Sequence, residues 1–270
     1  MTIIEQNTTP KNPTKGNEDG IVVTDNFIAV IDGSTSKSAE NISKDYSNGQ
    51  YCMLLISKFI EQCNPSITLN GFCDGVTDYV FSHYPNNIIK EIENNPEKRM
   101  AASCVIYSRY HNEIWMIGDC QCLIDNTYYD NPKPFENILA SKRAEIIRIL
   151  IDEGEETIEA IMKNDVGRAS IIPQMIETMK NQNITYSVID GFPIPMQYVK
   201  NISLESHNNT IILATDGYPF LMPTLNESEN ALARQKEIDP LNIGTFKATK
   251  AFTAGNNSFD DRTYIKFTTD

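Results

Sequence analysis

The spacing of apolar residues changes several times along the chain, and each change marks a boundary between predicted elements. Residues 20–24 and 27–31 are short apolar runs separated by Asp25 and Asn26, a pair that tolerates a tight turn. This pattern predicts a β-hairpin. Residues 1–15 contain two prolines and predict an irregular start.

Two helices are predicted after the hairpin. Apolar residues recur with roughly helical spacing between Asp45 and Cys63, and the Asn64-Pro65 pair that follows disfavours further helix. A second helix is predicted from Thr68 to about Tyr84. Each helix has apolar residues to bury against another layer.

The middle of the chain changes from strand-like to helical patterns. Residues 101–108, 113–119 and 121–126 are rich in β-branched, aromatic and other apolar residues, and they predict an antiparallel meander. From Pro134 to about Lys180 the apolar spacing returns to i, i+3, i+4, which predicts a helical block. We interpret it as part of a helical insert at about residues 134–195.

The remaining pattern decides the fold class. Apolar runs at 196–204, 210–217 and 262–268 predict strands, and residues 227–238 predict a helix. This order has no regular β-α-β alternation, which indicates an α+β protein whose sheets are largely antiparallel. We therefore predict one domain over residues 1–270.

The charge balance excludes one class of partner. The 270 residues include 23 Lys and Arg against 36 Asp and Glu, a formal net charge of −13. Surplus negative charge repels phosphate backbones and anionic lipid. We expect neither nucleic acid nor a membrane as partner, whereas surplus carboxylates suit hard divalent cations.

Other residue types narrow the chemistry and the compartment. No apolar run approaches the ~20 residues that cross a bilayer, and the first residues lack the pattern of a signal peptide. The six cysteines include no CxxC pair, which favours reduced thiols in a cytoplasmic protein. His83, His111 and His207 are isolated in sequence, so a zinc site or a Ser-His-Asp relay has few candidates. The chemistry is expected to depend on carboxylates.

Acidic clusters recur at the ends of apolar runs. They are Asn17-Glu18-Asp19, Asp32-Gly33, Asp216-Gly217 and Asp260-Asp261. Taken singly, each is explained by a plain turn, since Asp-Gly is a common turn signal. Strand ends meet at the rim of a sheet, however, and a glycine lets its carbonyl oxygen approach a cation. Together the clusters predict a site for divalent metal.

Five short motifs occur in a fixed order along the chain. They are Asn17-Glu18-Asp19, Asp32-Gly33, Gly118-Asp119-Cys120-Gln121, Ala214-Thr215-Asp216-Gly217 and Ser258-Phe259-Asp260-Asp261-Arg262-Thr263. The ordered set resembles the signature of the metal-dependent type-2C protein phosphatases, also called PPM-type. The chain is similar to a divergent, bacterial-like member of that family.

The resemblance implies a fold and a metal site. The fold is an αββα sandwich, in which two antiparallel sheets are flanked by helices. The site holds two Mg²⁺ or Mn²⁺ ions at one edge. Asp32 would bridge the two ions with a contribution from the Gly33 carbonyl, and Asp216 and Asp260 would complete the ligands. Catalysis would therefore depend on these three aspartates.

Three further carboxylates have implied roles. By the same resemblance, Glu18 and Asp19 would hold metal-bound waters or a ligand position. Asp119 matches the residue that some members use for a third, weaker metal ion. The implied metal-ligating set therefore reaches well beyond the three aspartates of the main site.

The activity implied by the resemblance is hydrolysis of a phosphomonoester, which in this family is phosphoserine or phosphothreonine in a protein. Two cations about 4 Å apart lower the pKa of a bridging water and neutralise the phosphoryl oxygens during in-line attack, without a covalent intermediate. A phosphorylated protein is the expected partner, and a small phosphorylated molecule stays open.

The chain departs from the family at two places that concern the substrate. The phosphate-binding Arg of the family falls on Thr14, where we expect neighbouring Lys15 to supply a cation instead. Lys lacks the bidentate fork of Arg, so we expect a weaker or different grip. Many members have a His as general acid after Asp-Gly, where this chain has Ser34. Arg168 in the helical insert is a second candidate for substrate binding.

These departures leave a second function open, a catalytically weak or inactive phosphatase-fold module that binds or signals. The presence of Asp32, Asp216 and Asp260 speaks against it, since clustered carboxylates without cations repel one another. A haloacid-dehalogenase-like phosphatase does not fit, because its nucleophilic Asp would fall on Val30. The metal-dependent phosphatase is therefore the favoured interpretation.

Overall fold

The computed structural model describes residues 1–37, 41–206 and 208–270, so His207 lies outside the described residues. The strands in this part of the chain are β1 Thr2–Thr9, β2 Asp19–Val23, β3 Phe27–Gly33, β4 Ala102–Ser108, β5 Glu113–Ile117, β6 Gln121–Ile124, β7 Thr127–Asp130, β8 Lys200–Ser203, β9 Thr210–Ala214 and β10 Arg262–Thr268. They form two antiparallel sheets. Sheet A has the order β1-β10-β9-β6-β7, and sheet B has the order β2-β3-β4-β5-β8.

The two sheets pack face to face through an apolar layer. In β3, Ile28 and Val30 pack into this layer together with Leu213 of sheet A. The alternating residues Ala29 and Ile31 point to the other side of sheet B, where they join a second apolar cluster. Because β3 is buried on both faces, its sequence is a continuous apolar run rather than an alternating one.

Helices cover the outer faces of both sheets. Their bounds are α1 Asn48–Gln62, α2 Leu69–Phe81, α3 Ile89–Asn94, α4 Glu136–Asp152, α5 Ile158–Lys163, α6 Val166–Met179 and α7 Leu225–Ile238. Ile56 of α1 and Phe72 of α2 pack in one cluster with Trp115 of sheet B. On the far side, Leu225 at the start of α7 packs against a cluster that contains Ile212 of sheet A. The predicted α+β sandwich of two antiparallel sheets flanked by helices is confirmed.

Local signals set the ends of the first two helices. Ser47 and Thr68 have extended backbones, and their hydroxyls accept hydrogen bonds from Gln50 N at 3.3 Å and Gly71 N at 3.2 Å. Each hydroxyl satisfies one of the unpaired N–H groups of a helix start. Cys63 is extended as well and ends α1 just before the Asn64-Pro65 pair.

The predicted meander of residues 101–126 is confirmed only for its first two strands. β4 and β5 pair within sheet B, but β6 pairs with β7 and β9 of sheet A. The chain crosses between the sheets at Gly118, whose φ is +83° and whose missing Cβ would lie 2.2 Å from Ser103 Oγ. Glycine is required here on both counts. The apolar pattern does not reveal which sheet the next strand joins.

The prediction of an irregular start is wrong for the first residues. Thr2–Thr9 form β1, whose residues alternate between exposed and half-buried, and β1 pairs with β10 at the edge of sheet A. Its partner strand comes from the opposite end of the sequence, with Thr2 opposite Thr268. Thr2–Thr9 contain few apolar residues, so the local sequence does not indicate a strand. The strand is stabilised by its pairing with β10 instead.

The predicted helical block forms as α4, α5 and α6. Arg143 of α4 is fully buried, and its Nη2 lies 2.8 Å from Oδ2 of Asp165, the residue that caps α6. Arg143 Nη1 donates to the carbonyls of Leu241 and Ala248 at 2.9 and 3.0 Å, and Asp165 Oδ2 accepts from Ala251 N at 3.0 Å. This ion pair therefore joins the helical block to the loop that follows α7. Within the described ranges, no helix has the length and apolar character needed to cross a bilayer.

Candidate metal centre

Two of the predicted aspartates lie side by side in sheet B. Asp19 opens β2 and is directly opposite Asp32 near the end of β3. Thr215 Oγ1 donates to Asp19 Oδ2 at 2.8 Å, and the same hydroxyl oxygen accepts from Thr263 N at 3.0 Å. Burial raises the pKa of Asp19 to about 8 despite the Thr215 hydrogen bond. The centre thus begins with two adjacent carboxyl groups at one end of the sheet.

Asp216 approaches from sheet A, directly after the end of β9. Its side chain is within hydrogen-bonding reach of Asp32. Burial and then the charge of Asp216 raise the pKa of Asp32 well above its ordinary value. Burial and then the charge of Asp119 raise the pKa of Asp216. Carboxyl groups that repel one another in this way are stabilised by a nearby cation.

Asp119 lies at the crossover between the sheets. Ser103 Oγ donates to its Oδ1 at 2.5 Å, and Lys133 Nζ lies 2.6 Å from its Oδ2. Burial disfavours ionisation of Asp119, but the charge and hydrogen bond of Lys133, together with the Ser103 hydrogen bond, lower the pKa of the carboxyl below its ordinary value. Asp119 is therefore an ionised carboxylate held by two donors.

The structure adds Glu136, which belongs to none of the sequence motifs. One carboxylate oxygen each from Asp119, Glu136 and Asp216 lies within 4.8 Å of the others. Burial and then the charge of Asp119 raise the pKa of Glu136 to about 8. Glu136 begins α4 just after β7, a strand without a clear sequence signal, so nothing in the sequence marked Glu136 as part of the centre.

Asp260 is surrounded by lysines rather than by carboxylates. Lys11 Nζ lies 3.0 Å from Asp260 Oδ1 and 3.4 Å from Asp261 Oδ2, and Lys250 Nζ contacts Asp260 Oδ2. Burial and then the charge of Lys11 lower the pKa of Lys250 to about 7. The sequence does not predict Lys11 or Lys250 as site residues, because neither belongs to a motif. Asp260 is therefore neutralised by ammonium groups of the chain itself.

Glu18 is held by hydroxyl groups beside the same end of the sandwich. Thr35 Oγ1 and Ser47 Oγ each donate to its carboxylate at 2.5 Å, and Lys11 Nζ lies 3.7 Å from it. Gly33 lies so close to the backbone that a Cβ would come within 2.4 Å of Gly49 O. The tight packing at Gly33 leaves no room for a side chain between the strand end and α1.

Many of these residues line a cavity of about 270 Å³, whereas Lys11, Glu18 and Asp19 are not part of its lining. Its carboxylates are Asp32, Asp119, Glu136, Asp216, Asp260 and Asp261, and its cations are Lys37, Lys133, Arg168, Lys247 and Lys250. Part of the lining is apolar and comes from Phe135, Met175, Met179, Tyr186 and Val188. The cavity therefore combines a strongly charged lining with an apolar one that the helical block largely supplies.

The two predicted substrate-binding cations lie in different places. Arg168 is half-buried and lines the cavity, where its Nη1 donates to Thr249 O at 2.9 Å. Lys15 is exposed and is not among the lining residues. The ammonium that the N-terminal segment brings to the centre belongs to Lys11 instead. The sequence predicts a positive charge from this segment at Lys15, and the structure places the ammonium of Lys11, four residues earlier, at the centre.

The donor set fits a hard divalent cation. Asp19, Asp32, Glu136 and Asp216 all have raised pKa values because burial and neighbouring negative charge disfavour their ionised forms. A bound cation would relieve both penalties. Carboxylate and carbonyl oxygens are the ligands of Mg²⁺ and Mn²⁺ rather than of softer metals. The buried thiols of Cys120 and Cys122 have raised pKa values and offer no thiolate ligand.

Comparison with known proteins gives structural likeness only. No protein-family model matches the chain, and no curated protein matches it in sequence. The chain resembles PPM-type serine/threonine phosphatases in structure. The catalytic domain of the phosphatase PstP, solved with two manganese ions, is 13% identical with a TM-score of 0.49, covering 100% of this chain and 99% of that one.

Two further structures show the same degree of likeness. MsPP from Mycobacterium smegmatis, in complex with cacodylate, is 12% identical with a TM-score of 0.48, and each chain is covered to 100%. Stp1 from Staphylococcus aureus is 14% identical with a TM-score of 0.47, covering 98% of this chain and 94% of that one.

Proposed function

We propose that this protein is a metal-dependent phosphomonoester hydrolase. The observation that carries the proposal is the convergence of carboxylates from both sheets, Asp32 from one and Asp216 from the other, on a single cavity that also contains cationic side chains, with Asp19 directly opposite Asp32. Carboxylates hold the metal in such an enzyme, and cations hold the phosphoryl group. We also propose that residues 1–270 form one domain, since both sheets contribute to this site.

The metal ligands that we propose are the carboxylates of the motif set. Asp32, with the carbonyl of Gly33, would be shared by two Mg²⁺ or Mn²⁺ ions, and Asp216 and Asp260 would complete the set. Such ions, when bound, supply Lewis-acid stabilisation of phosphoryl oxygens and a more acidic water.

Three other carboxylates have supporting roles in the proposal. Glu18 and Asp19 would hold the water molecules around the metal ions. Asp119 would bind a further ion together with Glu136, whose oxygen lies within 4.8 Å of one from Asp119. Catalysis would therefore depend directly on Asp32, Asp216 and Asp260, and indirectly on these neighbours.

The remaining side chains orient the carboxylates and exclude water. The hydroxyl of Thr215 fixes Asp19 at 2.8 Å, and the Lys133 ammonium and the Ser103 hydroxyl fix both oxygens of Asp119. Groups that are held before the substrate binds need no reorganisation during the reaction. The apolar lining that includes Met175 and Met179 would contact the organic part of the ester.

We propose phosphoserine or phosphothreonine in a protein as the substrate class, by the motif resemblance. A small phosphorylated molecule is the other class compatible with a cavity of about 270 Å³. The two classes differ in what surrounds the phosphate, so a peptide and a small ester tested side by side distinguish them.

A second candidate function rests on the lysines around Asp260. Lys11 and Lys250 already neutralise this carboxylate, so a metal ion would compete with two ammonium groups for it. If the lysines keep Asp260 from the metal, the protein would be a phosphatase-fold module that binds a phosphorylated partner with little or no turnover.

The deciding experiment is hydrolysis of p-nitrophenyl phosphate and a phosphothreonine peptide in Mn²⁺, in Mg²⁺ and in chelator. Asp216→Asn is the test variant, and Asp152→Asn, an exposed aspartate on α4, is the matched control. We expect metal-dependent turnover that Asp216→Asn removes and Asp152→Asn preserves. If neither substrate turns over while calorimetry detects metal binding that Asp216→Asn weakens, the binding module is the better assignment.

A further inference from the structure

Two of the half-buried cations in the cavity, Lys37 and Arg168, differ from the other half-buried ones, whereas Lys247 is exposed. Lys37 Nζ donates to Thr35 O at 2.7 Å, and Arg168 Nη1 donates to Thr249 O at 2.9 Å and Thr249 Oγ1 at 3.3 Å. Neither cation has a carboxylate oxygen within 4.0 Å in the described part of the chain. Each is therefore held by neutral oxygen atoms alone.

The other half-buried cations of the centre are already paired with carboxylates. Lys133 contacts Asp119 at 2.6 Å, Lys250 contacts Asp260, and Lys11 lies 3.0 Å from Asp260. Carboxylates of the protein neutralise these ammonium groups, so they attract an incoming anion only weakly.

The unpaired cations carry an energetic cost. Burial and then the charge of Arg168 lower the pKa of Lys37 to about 8, and burial also lowers the pKa of Arg168. The nearest acidic residue along the chain from Arg168 is Asp165, but its carboxylate is bound by the buried Arg143. An anion placed between Lys37 and Arg168 would remove this penalty.

We propose that Lys37 and Arg168 together bind the phosphoryl group of the ligand. Calling that ligand a substrate rests on the proposed function, whereas the binding itself does not. The Arg168 guanidinium offers paired N–H donors to two oxygens of a phosphate, and the Lys37 ammonium adds a point charge. The site would accept phosphomonoesters and inorganic phosphate, the product of their hydrolysis.

The two residues come from different parts of the fold. Lys37 follows the end of β3, four residues after Gly33, whereas Arg168 lies in the first turn of α6. The phosphoryl group would therefore be bound between the sheet end that bears the carboxylates and the helical block. The helical block would thereby provide the arginine that is absent at Thr14.

The test is calorimetric titration of inorganic phosphate into the full chain at pH 7 in chelator, so that neither metal nor turnover is needed. We expect Lys37→Gln and Arg168→Gln each to weaken phosphate binding by about tenfold or more, since hydrogen bonds to charged groups contribute most of the affinity. Lys44→Gln and Arg234→Gln remove the same charges from exposed positions outside the cavity and should change the affinity less than about twofold. Lys37→Arg and Arg168→Lys should retain more of the binding than the glutamine variants.

The outcomes separate this proposal from the proposed function. Phosphate binding that is lost in Lys37→Gln and Arg168→Gln supports the site even if no ester is hydrolysed. Wild-type protein that does not bind phosphate, or glutamine variants that bind it as well as the exposed controls do, would overturn the site. If turnover is then observed with an unchanged KM in both variants, the phosphatase stands and the Lys37-Arg168 site does not.

Discussion

Asp19 and Asp32 are directly opposite each other in the antiparallel pairing of β2 with β3. The register that forms the hairpin therefore also sets two carboxyl groups side by side at its open end. Side chains of opposed residues lie on the same face of a sheet. If the register of β2 against β3 shifted by one residue, one of the two side chains would point to the opposite face of the sheet. The strand register therefore determines the geometry of the site.

Asp32→Ala should abolish metal-dependent hydrolysis while the fold is kept. Asp32 is within hydrogen-bonding reach of Asp216 and is the carboxylate proposed to be shared by two ions. Loss of groups that support a metal costs about 10–100-fold, and loss of a shared ligand should cost at least as much. Initial rates in Mn²⁺ together with far-UV circular dichroism measure both effects. Full activity in the variant would contradict the proposed ligand set.

The free energy of unfolding of the metal-free protein should fall as the pH rises from 5 to 7. Folding raises the pKa of Asp19 from 3.8, and of Glu136 from 4.5, to about 8 in each case. The folded state therefore binds more protons than the unfolded chain in this window, and by linkage its stability decreases with pH. Lys250, with its pKa lowered from 10.5 to about 7, acts in the opposite direction mainly above that pH.

Urea unfolding at pH 5, 6 and 7 in chelator measures this dependence. Asp19→Asn should make this pH dependence less steep, because the amide does not titrate whereas Glu136 still does, and Asp74→Asn, an exposed aspartate of α2, should leave it unchanged. A stability that is constant or increases from pH 5 to 7 in the wild type would contradict the raised pKa values.

Lys250→Met should strengthen binding of Mg²⁺ or Mn²⁺. The Lys250 ammonium contacts Asp260 Oδ2 and competes with a metal ion for this carboxylate. Removing one positive charge at such close range should increase metal affinity by at least about threefold. Lys247→Met is the control, since Lys247 lines the same cavity but is exposed. Equal affinities for Lys250→Met and the wild type would mean that Asp260 takes no part in metal binding.

Gly118→Ala should destabilise the protein more than Gly154→Ala. Both glycines have a positive φ, +83° and +73°, so alanine costs roughly 1–2 kcal/mol at either position. At Gly118 the new Cβ would also meet Ser103 Oγ at 2.2 Å, whereas no atom lies within 4 Å at Gly154. The collision should add about 1–3 kcal/mol. Chemical denaturation of both variants compares them, and equal losses would show that the crossover tolerates a side chain.

The sequence predicts the fold best where burial is strong. β3 and β4 are buried on both faces, and their continuous apolar runs are visible in the sequence. β1 could not be predicted because its order comes from pairing with β10 at the opposite end of the sequence. The crossover at Gly118 could not be predicted either, since local spacing carries no information on which sheet a strand joins.

The residues of the candidate site likewise include some that the sequence predicts and some that it does not. Asp19, Asp32, Asp119 and Asp216 belong to short motifs at strand ends, so their convergence could be expected from the sequence. Glu136 could not be predicted, because it reaches the centre only through the placement of α4 after β7. Lys37, Lys133 and Lys250 are likewise brought together by tertiary packing, since they lie far apart in the sequence and belong to no motif.

The carboxylates at the centre belong to both layers of the sandwich, Asp32 at the end of β3 and Asp216 just after β9. A cation bound between them would tie the two sheets together at one end, and the sheets could then separate there only after releasing it. Amide hydrogen exchange should therefore slow in β3 and β9 together when Mg²⁺ is added, although the two strands lie in different sheets. The ion would then hold the two sheets together at this end, and local opening would begin at the opposite end of the sandwich.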